Sequence, residues 1–256
     1  MRFLYVAPRY HTNQVPIIRG LKRKGHEVCF LSQYAGKVED YSDLTPTVIG
    51  YSRIFLFFDR IYMALMKNRD AYAGDRKMKC GFPPIGKLKR AIRDSHGDVA
   101  ILRERSVYSI CAYLLCKKYK IPAILYNQSP LWEDCIKNDP AHRLMRLLTP
   151  AVRMTPVMGV QDGKKVKEPG AAFVPFVMEP EQKAEEKRWI KDGITHIFSI
   201  GKYEERKNHR MLVEIVEELS AVSKIHLTIA GERTTSAHQA YYDRLAAYIA
   251  DRGLQD

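Results

Sequence analysis

The sequence contains few cysteines and no long apolar run, and each absence excludes a class of protein. Its five cysteines, among 256 residues, are an odd number with no Cys-x2-Cys pair and no histidine at metal-ligand spacing. This pattern argues against a disulfide framework or a zinc site and favours free thiols in a reducing cytoplasm. No segment reaches the roughly 18 apolar residues that a membrane-spanning helix needs. The N-terminal apolar run is too short for a signal peptide and predicts a strand.

Acidic residues are scarce in the first two thirds of the chain. Residues 1–175 contain 30 Lys and Arg against 15 Asp and Glu, whereas residues 176–256 contain 12 against 14, so the formal net charge of +13 arises from the first part. A basic surface of this size predicts an anionic neighbour, such as acidic lipid or an anionic acceptor, unless the charge is diffuse and serves solubility. No nucleic-acid-binding motif is present, so we expect no nucleic-acid partner.

One segment combines bulky apolar residues with basic ones. Residues 54–66 read IFLFFDRIYMALM, and a basic run from Lys67 to Lys79 follows. An interfacial membrane helix has this composition, and it would place the protein at the cytoplasmic face of a membrane. An ordinary helix that turns its apolar side toward the core, followed by a basic loop, has the same composition.

Alternating strand and helix patterns predict an α/β fold with a doubly wound parallel sheet. The helix after the first strand is expected to have Thr12 or Asn13 as its cap and to stop at Gly25. Residues 130–153 read as mostly helical, and residues 171–180 as the crossing into a second domain. The predicted strands of the first domain are residues 2–7, 27–32, 99–102 and 121–126, with a helix at about 107–119.

The segment His196–Glu232 is the most informative part of the sequence. It reads as a buried strand ending in Gly201 and Lys202, a tight turn, a helix that opens after Lys207, and a second buried strand ending in Gly231. Two apolar strands joined by such a helix predict a right-handed βαβ unit, whose ligands bind at the carboxyl ends of the strands. Two lysines and a helix N-terminus at that end predict a phosphate or diphosphate ligand, the alternative being solvated loop lysines.

This Gly-Lys-x4-Lys pattern resembles the start of the donor-binding domain of glycosyltransferase family 4, the group 1 type of GT-B enzyme. The family pattern is a strand, Gly-Arg, four residues, Lys, a helix, and a strand ending in Gly. The resemblance implies that Gly201, Lys202 and Lys207 bind the diphosphate of a UDP- or GDP-linked sugar, with no metal and no other cofactor. Lys202 replaces the usual Arg, which keeps the charge but loses the bidentate geometry of a guanidinium.

The resemblance also implies a GT-B-like fold of two doubly wound Rossmann-like domains, the second incomplete. Residues 1–175 would form the acceptor-side domain and residues 176–256 the nucleotide-sugar-binding domain. A predicted helix at about 237–251 is followed by Gly253, and the chain stops before the family's third strand and its Glu-x7-Glu segment, which holds the ribose and the sugar. We expect truncation within the donor-binding domain to leave apolar faces uncovered.

Polar residues follow several predicted strands, where ligands of doubly wound folds bind. The triplet Arg103-Glu104-Arg105 is either a clamp for an acceptor phosphate or a self-neutralised surface triplet. In the second domain, Glu232 follows the last strand. The acidic pair Glu204-Glu205, between the two lysines, either lowers phosphate affinity or points to solvent. The candidate donor or acceptor contacts are His11, Asn13, Arg103, Arg105, Asn127, Gln128 and Glu232.

The chain departs from the family where a catalytic base would be sought. Many members have Gly-Gly after the first strand, whereas this sequence has Pro8-Arg9-Tyr10-His11 there. Many also have a His followed by an acidic residue after a later strand, whereas this sequence has Tyr126-Asn127-Gln128. The catalytic residue is therefore unknown. His11 is the nearby titratable candidate, and the alternative is that it is a loop histidine without a catalytic role.

These patterns lead to two functional interpretations. The first is a hexosyl-type glycosyltransferase, retaining and metal-independent, that transfers a sugar from a nucleotide-sugar to a polysaccharide or glycolipid acceptor. The second is a non-catalytic or inactive subunit that binds membrane or acceptor and needs a partner chain to complete its donor site.

Overall fold

The computed structural model describes residues 1–36, 39–65, 76–104, 106–126, 140–155, 159–161, 164–166, 171–175 and 189–255. The chain divides into two compact units, Met1–Pro180 and Glu181–Asp256. The candidate contacts Arg105, Asn127 and Gln128 lie outside the described residues.

The first unit alternates strands and helices along the chain. Its helices are α1 (Val15–Arg23), α2 (Arg53–Leu65), α3 (Ile85–Asp94), α4 (Val107–Lys118) and α5 (Pro140–Leu148). Its strands are β1 (Arg2–Ala7), β2 (Glu27–Ser32), β3 (Thr47–Val48), β4 (Val99–Arg103), β5 (Ala123–Tyr126), β6 (Val152–Thr155), β7 (Gly159–Gln161), β8 (Lys164–Val166) and β9 (Ala171–Phe173).

Seven strands form one parallel sheet in the order β3-β2-β1-β4-β5-β6-β9, and β7 and β8 form an antiparallel hairpin. Alternate residues of β1 point to opposite faces of the sheet. Leu4 and Val6 lie in one core with side chains of α3 and α4, whereas Tyr5 and Ala7 lie in a second core with Ile18 of α1. Both faces are therefore covered, which confirms the doubly wound α/β prediction for this unit.

Four of the five cysteines lie among the described residues, and all four are free thiols. Cys29 of β2 and Cys111 and Cys116 of α4 belong to the first core, as predicted. Burial raises the pKa of Cys116 to about 12, so this thiol is inert at neutral pH. Cys80 is exposed, and Cys135 lies outside the described residues.

The predicted cap before α1 is wrong. His11, not Thr12 or Asn13, caps the short 3-10 turn that precedes α1: its Nδ1 accepts a hydrogen bond from the backbone N–H of Asn13 at 3.2 Å. The side-chain oxygen of Gln14 accepts one from the backbone N–H of His11 at 2.8 Å, which completes a capping box. Gly25 has φ +76° and follows the helix end, as predicted.

The prediction of a mostly helical segment 130–153 is wrong at its C-terminal end. The helix α5 ends at Leu148, and Val152–Thr155 forms β6 in the parallel sheet. Pro150 explains the break, because proline cannot continue a helix. The segment 171–180, predicted as the crossing between domains, begins with β9, which pairs with β6.

The helix α2 turns its apolar side chains outward. Ile54, Phe57 and Leu65 are 72%, 61% and 78% exposed, whereas Asp59 is 5% exposed. The interpretation of this segment as a core-facing helix is therefore wrong. Among the described residues, no helix combines the length and apolar character needed to cross a bilayer.

The second unit contains β10 (Ile190–Lys191), β11 (Ile194–Ile200), α6 (His209–Ser220), β12 (Ile225–Ala230) and α7 (Ser236–Asp251). The strands β11 and β12 are parallel, which confirms the predicted βαβ unit. The helix α7 confirms the helix predicted at about 237–251, and its Tyr241 and Leu245 are buried against Leu227 of β12. The opposite face of the sheet is open, with Phe198 and Ile200 at 54% and 74% exposure.

Candidate functional site

The turn after β11 is held against the end of β12 by hydrogen bonds. The backbone N–H of Gly201 donates to the carbonyl of Ala230 at 2.9 Å. The phenol of Tyr203 donates to the carbonyl of Ile229 at 3.0 Å, and Tyr203 is buried. The turn is thus fixed at the carboxyl edge of the two parallel strands, the edge at which ligands of such folds bind.

Two glycines allow the backbone to pack closely at this edge. A Cβ on Gly231 would collide with the carbonyl oxygen of Gly201 and would lie 2.9 Å from its carbonyl carbon. A Cβ on Gly201 would lie 3.2 Å from Cδ and Cε of Lys207. The alkyl chain of Lys207 therefore lies across Gly201, and the cationic residue is positioned at the strand end.

The two lysines of the motif are accessible cations. The Lys202 side chain is 45% exposed, and its Nζ lies 3.9 Å from Oε2 of Glu232, whose side chain is 40% exposed. A long, exposed pair of this kind is weak, so Glu232 leaves Lys202 available for an anion. Lys207 is exposed and forms no ion pair within the part of the chain that the structure describes.

The acidic residues between the lysines pair with arginines. Glu204 forms an ion pair with Arg206, and Glu205 forms one with Arg244 of α7 at 2.7 Å. Neither carboxylate is an ion-pair partner of Lys202 or Lys207. The two acidic residues therefore pair with Arg206 and Arg244 rather than neutralising the lysines.

The start of α6 lacks a side-chain cap. Asn208 is the N-cap residue in the left-handed conformation, with φ 48° and ψ 41°, and its amide donates to Sδ of Met211 at 3.4 Å instead of accepting from the helix. The first backbone N–H groups of a helix carry partial positive charge and attract anions. This helix end adds to the positive potential beside Lys207.

His209 connects α6 to the motif turn. Its side chain is buried, and its Nε2 lies 3.2 Å from the carbonyl oxygen of Lys202. Because a carbonyl only accepts, Nε2 carries the proton and donates. The ring packs against Tyr203, with a centroid distance of 5.5 Å. This residue was not predicted as part of the site, although its place just after Lys207 was a signal that it faces the turn.

The first-unit candidates His11 and Asn13 lie together after β1. Asn13 is exposed, and His11 is half-buried. The Nδ1 of His11 is engaged as the acceptor in the cap, with the hydroxyl of Thr12 also 3.3 Å away. That nitrogen could take a proton only by giving up the cap, which makes His11 a poor general base through Nδ1.

At the carboxyl end of β5, Tyr126 is buried and neutral. Burial raises the pKa of its phenol well above the usual range, and the side-chain amide of Gln14 donates a hydrogen bond to its oxygen. Arg103, at the end of the adjacent β4, is half-buried and forms no ion pair with any described residue. Arg103 is therefore the candidate cation at this edge of the first sheet.

Glu104 is not part of a surface triplet, so that interpretation of residues 103–105 is wrong. Its carboxylate accepts from Nε of Arg153 in β6 at 2.8 Å, and the two side chains are only 8% and 11% exposed. The guanidinium of Arg153 also donates to the carbonyl of Thr149 at 3.3 Å. Because Glu104 directly follows β4 and Arg153 lies in β6, on the far side of β5, the pair fixes the edge that carries Arg103.

Within the described ranges, no group of three or more His, Cys, Asp or Glu side chains could hold a metal ion. The second-unit site offers accessible ammonium groups and backbone N–H groups. These groups bind oxyanions and stabilise negative charge that develops on a leaving group.

No family model and no curated protein sequence matches the chain. Solved structures match its fold. An E. coli trehalose-6-phosphate structure with bound UDP-2-fluoro glucose matches with a TM-score of 0.56 and 13% identity, over 98% of this chain and 70% of that one. The kitacinnamycin glycotransferase matches with a TM-score of 0.52 and 15% identity, over 92% and 67%.

A UDP-forming alpha,alpha-trehalose-phosphate synthase from Burkholderia vietnamiensis also matches, with a TM-score of 0.51 and 12% identity, over 98% of this chain and 68% of that one. The chain thus spans about two thirds of the length of these structures. At these identities the likeness concerns the fold, and it confirms the GT-B-like α/β architecture.

Proposed function

We propose that the protein is a glycosyltransferase that transfers a hexose from a UDP- or GDP-sugar to a polysaccharide or glycolipid precursor at the cytoplasmic face of a membrane. In this proposal residues 1–175 bind the acceptor and residues 176–256 bind the donor. Retention of the anomeric configuration and independence of metal ions are part of the proposal and rest on the resemblance to glycosyltransferase family 4.

The observation that carries the proposal is the placement of Lys202 and Lys207 around Gly201. Both ammonium groups belong to one turn at the carboxyl edge of parallel strands, and both are accessible. Diphosphates are bound by such cations together with helix N-termini. One similarly folded structure, that from E. coli, holds UDP-2-fluoro glucose, which supports a nucleotide-sugar as the ligand.

The chemistry follows from the charge of this turn. When the bond between the sugar and the diphosphate breaks, negative charge increases on the leaving phosphate oxygen. Lys202, Lys207 and the start of α6 stabilise that charge more strongly in the transition state than in the ground state. The leaving diphosphate can then take the acceptor proton, which is consistent with the absence of an assigned base.

The direct test is donor turnover. Purified 256-residue chain is incubated with UDP- and GDP-sugars and with lipid extracts as acceptors, and released nucleotide diphosphate is measured. We expect release from one nucleotide class, increased by the acceptor. A folded protein that binds a nucleotide-sugar but releases no diphosphate with any acceptor would contradict the enzymatic proposal.

The second unit favours one alternative function, a non-catalytic subunit completed by a partner chain. Phe198 and Ile200 are exposed on one sheet face, and a cavity of about 790 Å³ lies beside β12, bounded by residues such as Leu227 and Ile249. Among the described strands, β12 is at the sheet edge, where a further strand can pair. Under this alternative, turnover appears only when a partner chain is added.

His209 provides a specific prediction about donor binding. Replacing His209 by Leu removes the donor to the Lys202 carbonyl, and we expect about tenfold weaker nucleotide binding because the turn is no longer fixed. His209→Gln retains an N–H donor at a similar distance and should restore most of the affinity. Calorimetry on both variants, with thermal unfolding as the folding control, tests this role. Equal losses in the two variants would show that His209 contributes packing only.

A further inference from the structure

The helix α2 turns its apolar side outward, whereas an ordinary surface helix turns it toward the core. Its outward side carries a continuous row of bulky apolar side chains, whereas its acidic residue, Asp59, points inward and pairs with Arg76 and Lys77. The α2 stripe consists of Ile54, Phe57, Phe58, Ile61 and Leu65, which are 72%, 61%, 62%, 42% and 78% exposed. Soluble proteins seldom expose contiguous apolar surface without a partner that covers it.

Cationic residues flank the α2 stripe. At about 100° per residue, Arg53 and Arg60 lie along one border of the stripe, and both are exposed. On the other border the guanidinium of Arg76 lies over the ring of Tyr62, 4.2 Å from its centroid. Asp59 is the only acidic residue in α2, so the outward side of this helix carries no acidic group.

Neighbouring residues extend this surface. Phe82 is joined to the start of α2, since its carbonyl accepts from the backbone N–H of Ser52 at 2.8 Å, and Phe82 and Ile85 are 41% and 38% exposed. The helix α3 that follows exposes Lys89 and Arg90. The apolar surface therefore lies within a basic region of the chain.

We propose that the α2 stripe inserts into the interfacial region of an anionic lipid bilayer, with Arg53 and Arg60 at the level of the lipid headgroups. A bulky apolar face with flanking cations is what an interfacial helix requires. Charge favours a bilayer over a second copy of the chain, because pairing two copies through α2 would bring like-charged arginines together. Membrane binding by α2 rests on the proposed function only for its biological purpose, which is to give the enzyme access to a lipid-linked acceptor.

Vesicle sedimentation of the full chain tests the proposal. The vesicles are phosphatidylcholine alone or phosphatidylcholine with phosphatidylglycerol. We expect sedimentation with the anionic vesicles and its loss at high salt. The double variant Phe57→Ser/Phe58→Ser should bind at least about tenfold more weakly, because two exposed rings no longer insert. Arg53→Gln/Arg60→Gln should bind roughly thirtyfold more weakly to anionic vesicles.

The matched control is Val222→Ser, which removes an exposed apolar side chain of the second unit, 81% exposed, and should leave sedimentation unchanged. Nucleotide titration of the same preparations reports separately on the proposed function and should not change in any of these variants. Absence of sedimentation, or equal sedimentation of Phe57→Ser/Phe58→Ser and the unchanged protein, would overturn the proposal. So would a homodimer that dissociates in that variant while vesicles remain unbound.

Discussion

Replacing Gly231 by alanine is expected to unfold the second unit while the first unit stays folded. The added methyl group would collide with the carbonyl oxygen of Gly201, and backbone cannot yield as a flexible side chain does. Separating the two strand ends would break the hydrogen bond from Gly201 to Ala230. We expect a loss of about 3 kcal/mol or more, which is a large share of the stability of a small unit.

Hydrogen exchange measured segment by segment checks this expectation. Amide protection in β11 and β12 should fall sharply in Gly231→Ala, whereas protection in β1 and β4 should persist. The matched control is Gly201→Ala in the same unit, because the three atoms nearest to its new methyl group all belong to the flexible side chain of Lys207. That variant should stay folded. Unchanged protection of β11 and β12 in Gly231→Ala would show that the close backbone contact is not required.

Replacing Arg153 by Met is expected to destabilise the first unit by about 3–5 kcal/mol. The substitution leaves the buried carboxylate of Glu104 without its partner, and an unpaired buried charge is costly. Chemical unfolding, followed by far-UV circular dichroism, measures the change as an earlier transition of the first unit. Because the two units can unfold separately, the transitions are fitted separately.

A double variant separates the buried charge from the packing. Glu104→Leu together with Arg153→Met removes both charges, and we expect it to regain most of the lost stability, since paired apolar replacements of buried ion pairs are often neutral. If the double variant loses as much as the sum of the two single variants, the pair does not act as a unit. In that case Glu104 and Arg153 stabilise the sheet edge through independent contacts.

The elements predicted correctly are those whose signals are local. The strands β1, β2, β11 and β12 are short apolar runs bounded by turn residues, and sequence patterns of this kind identify buried strands. The turn at Gly201 was predicted for the same reason, because the glycine, the lysines and the helix start lie within a few residues of one another.

The features that the sequence could not predict depend on contacts between distant residues. Glu104 and Arg153 are 49 positions apart, and their contact requires β4, β5 and β6 to align in one register. The apolar pattern of α2 indicates an amphipathic helix, but whether its apolar side is covered also depends on contacts with distant residues. The strand β6 was missed because it is short and lies beside predicted helix, although Pro150 was a local signal of the break.

Diphosphate binding by Lys202 and Lys207 is the feature on which the proposed function depends. The first measurement is a calorimetric titration of the 256-residue chain with UDP, GDP and their sugars. The same titration is made with Lys202→Ala, Lys207→Ala and a control variant, Lys224→Ala. The control removes an exposed lysine just before β12. We expect saturable binding of one nucleotide class, weakened roughly tenfold to a hundredfold by each motif substitution and unchanged in the control. No binding by a folded protein, or equal binding in all three variants, would show that Lys202 and Lys207 do not form a diphosphate site.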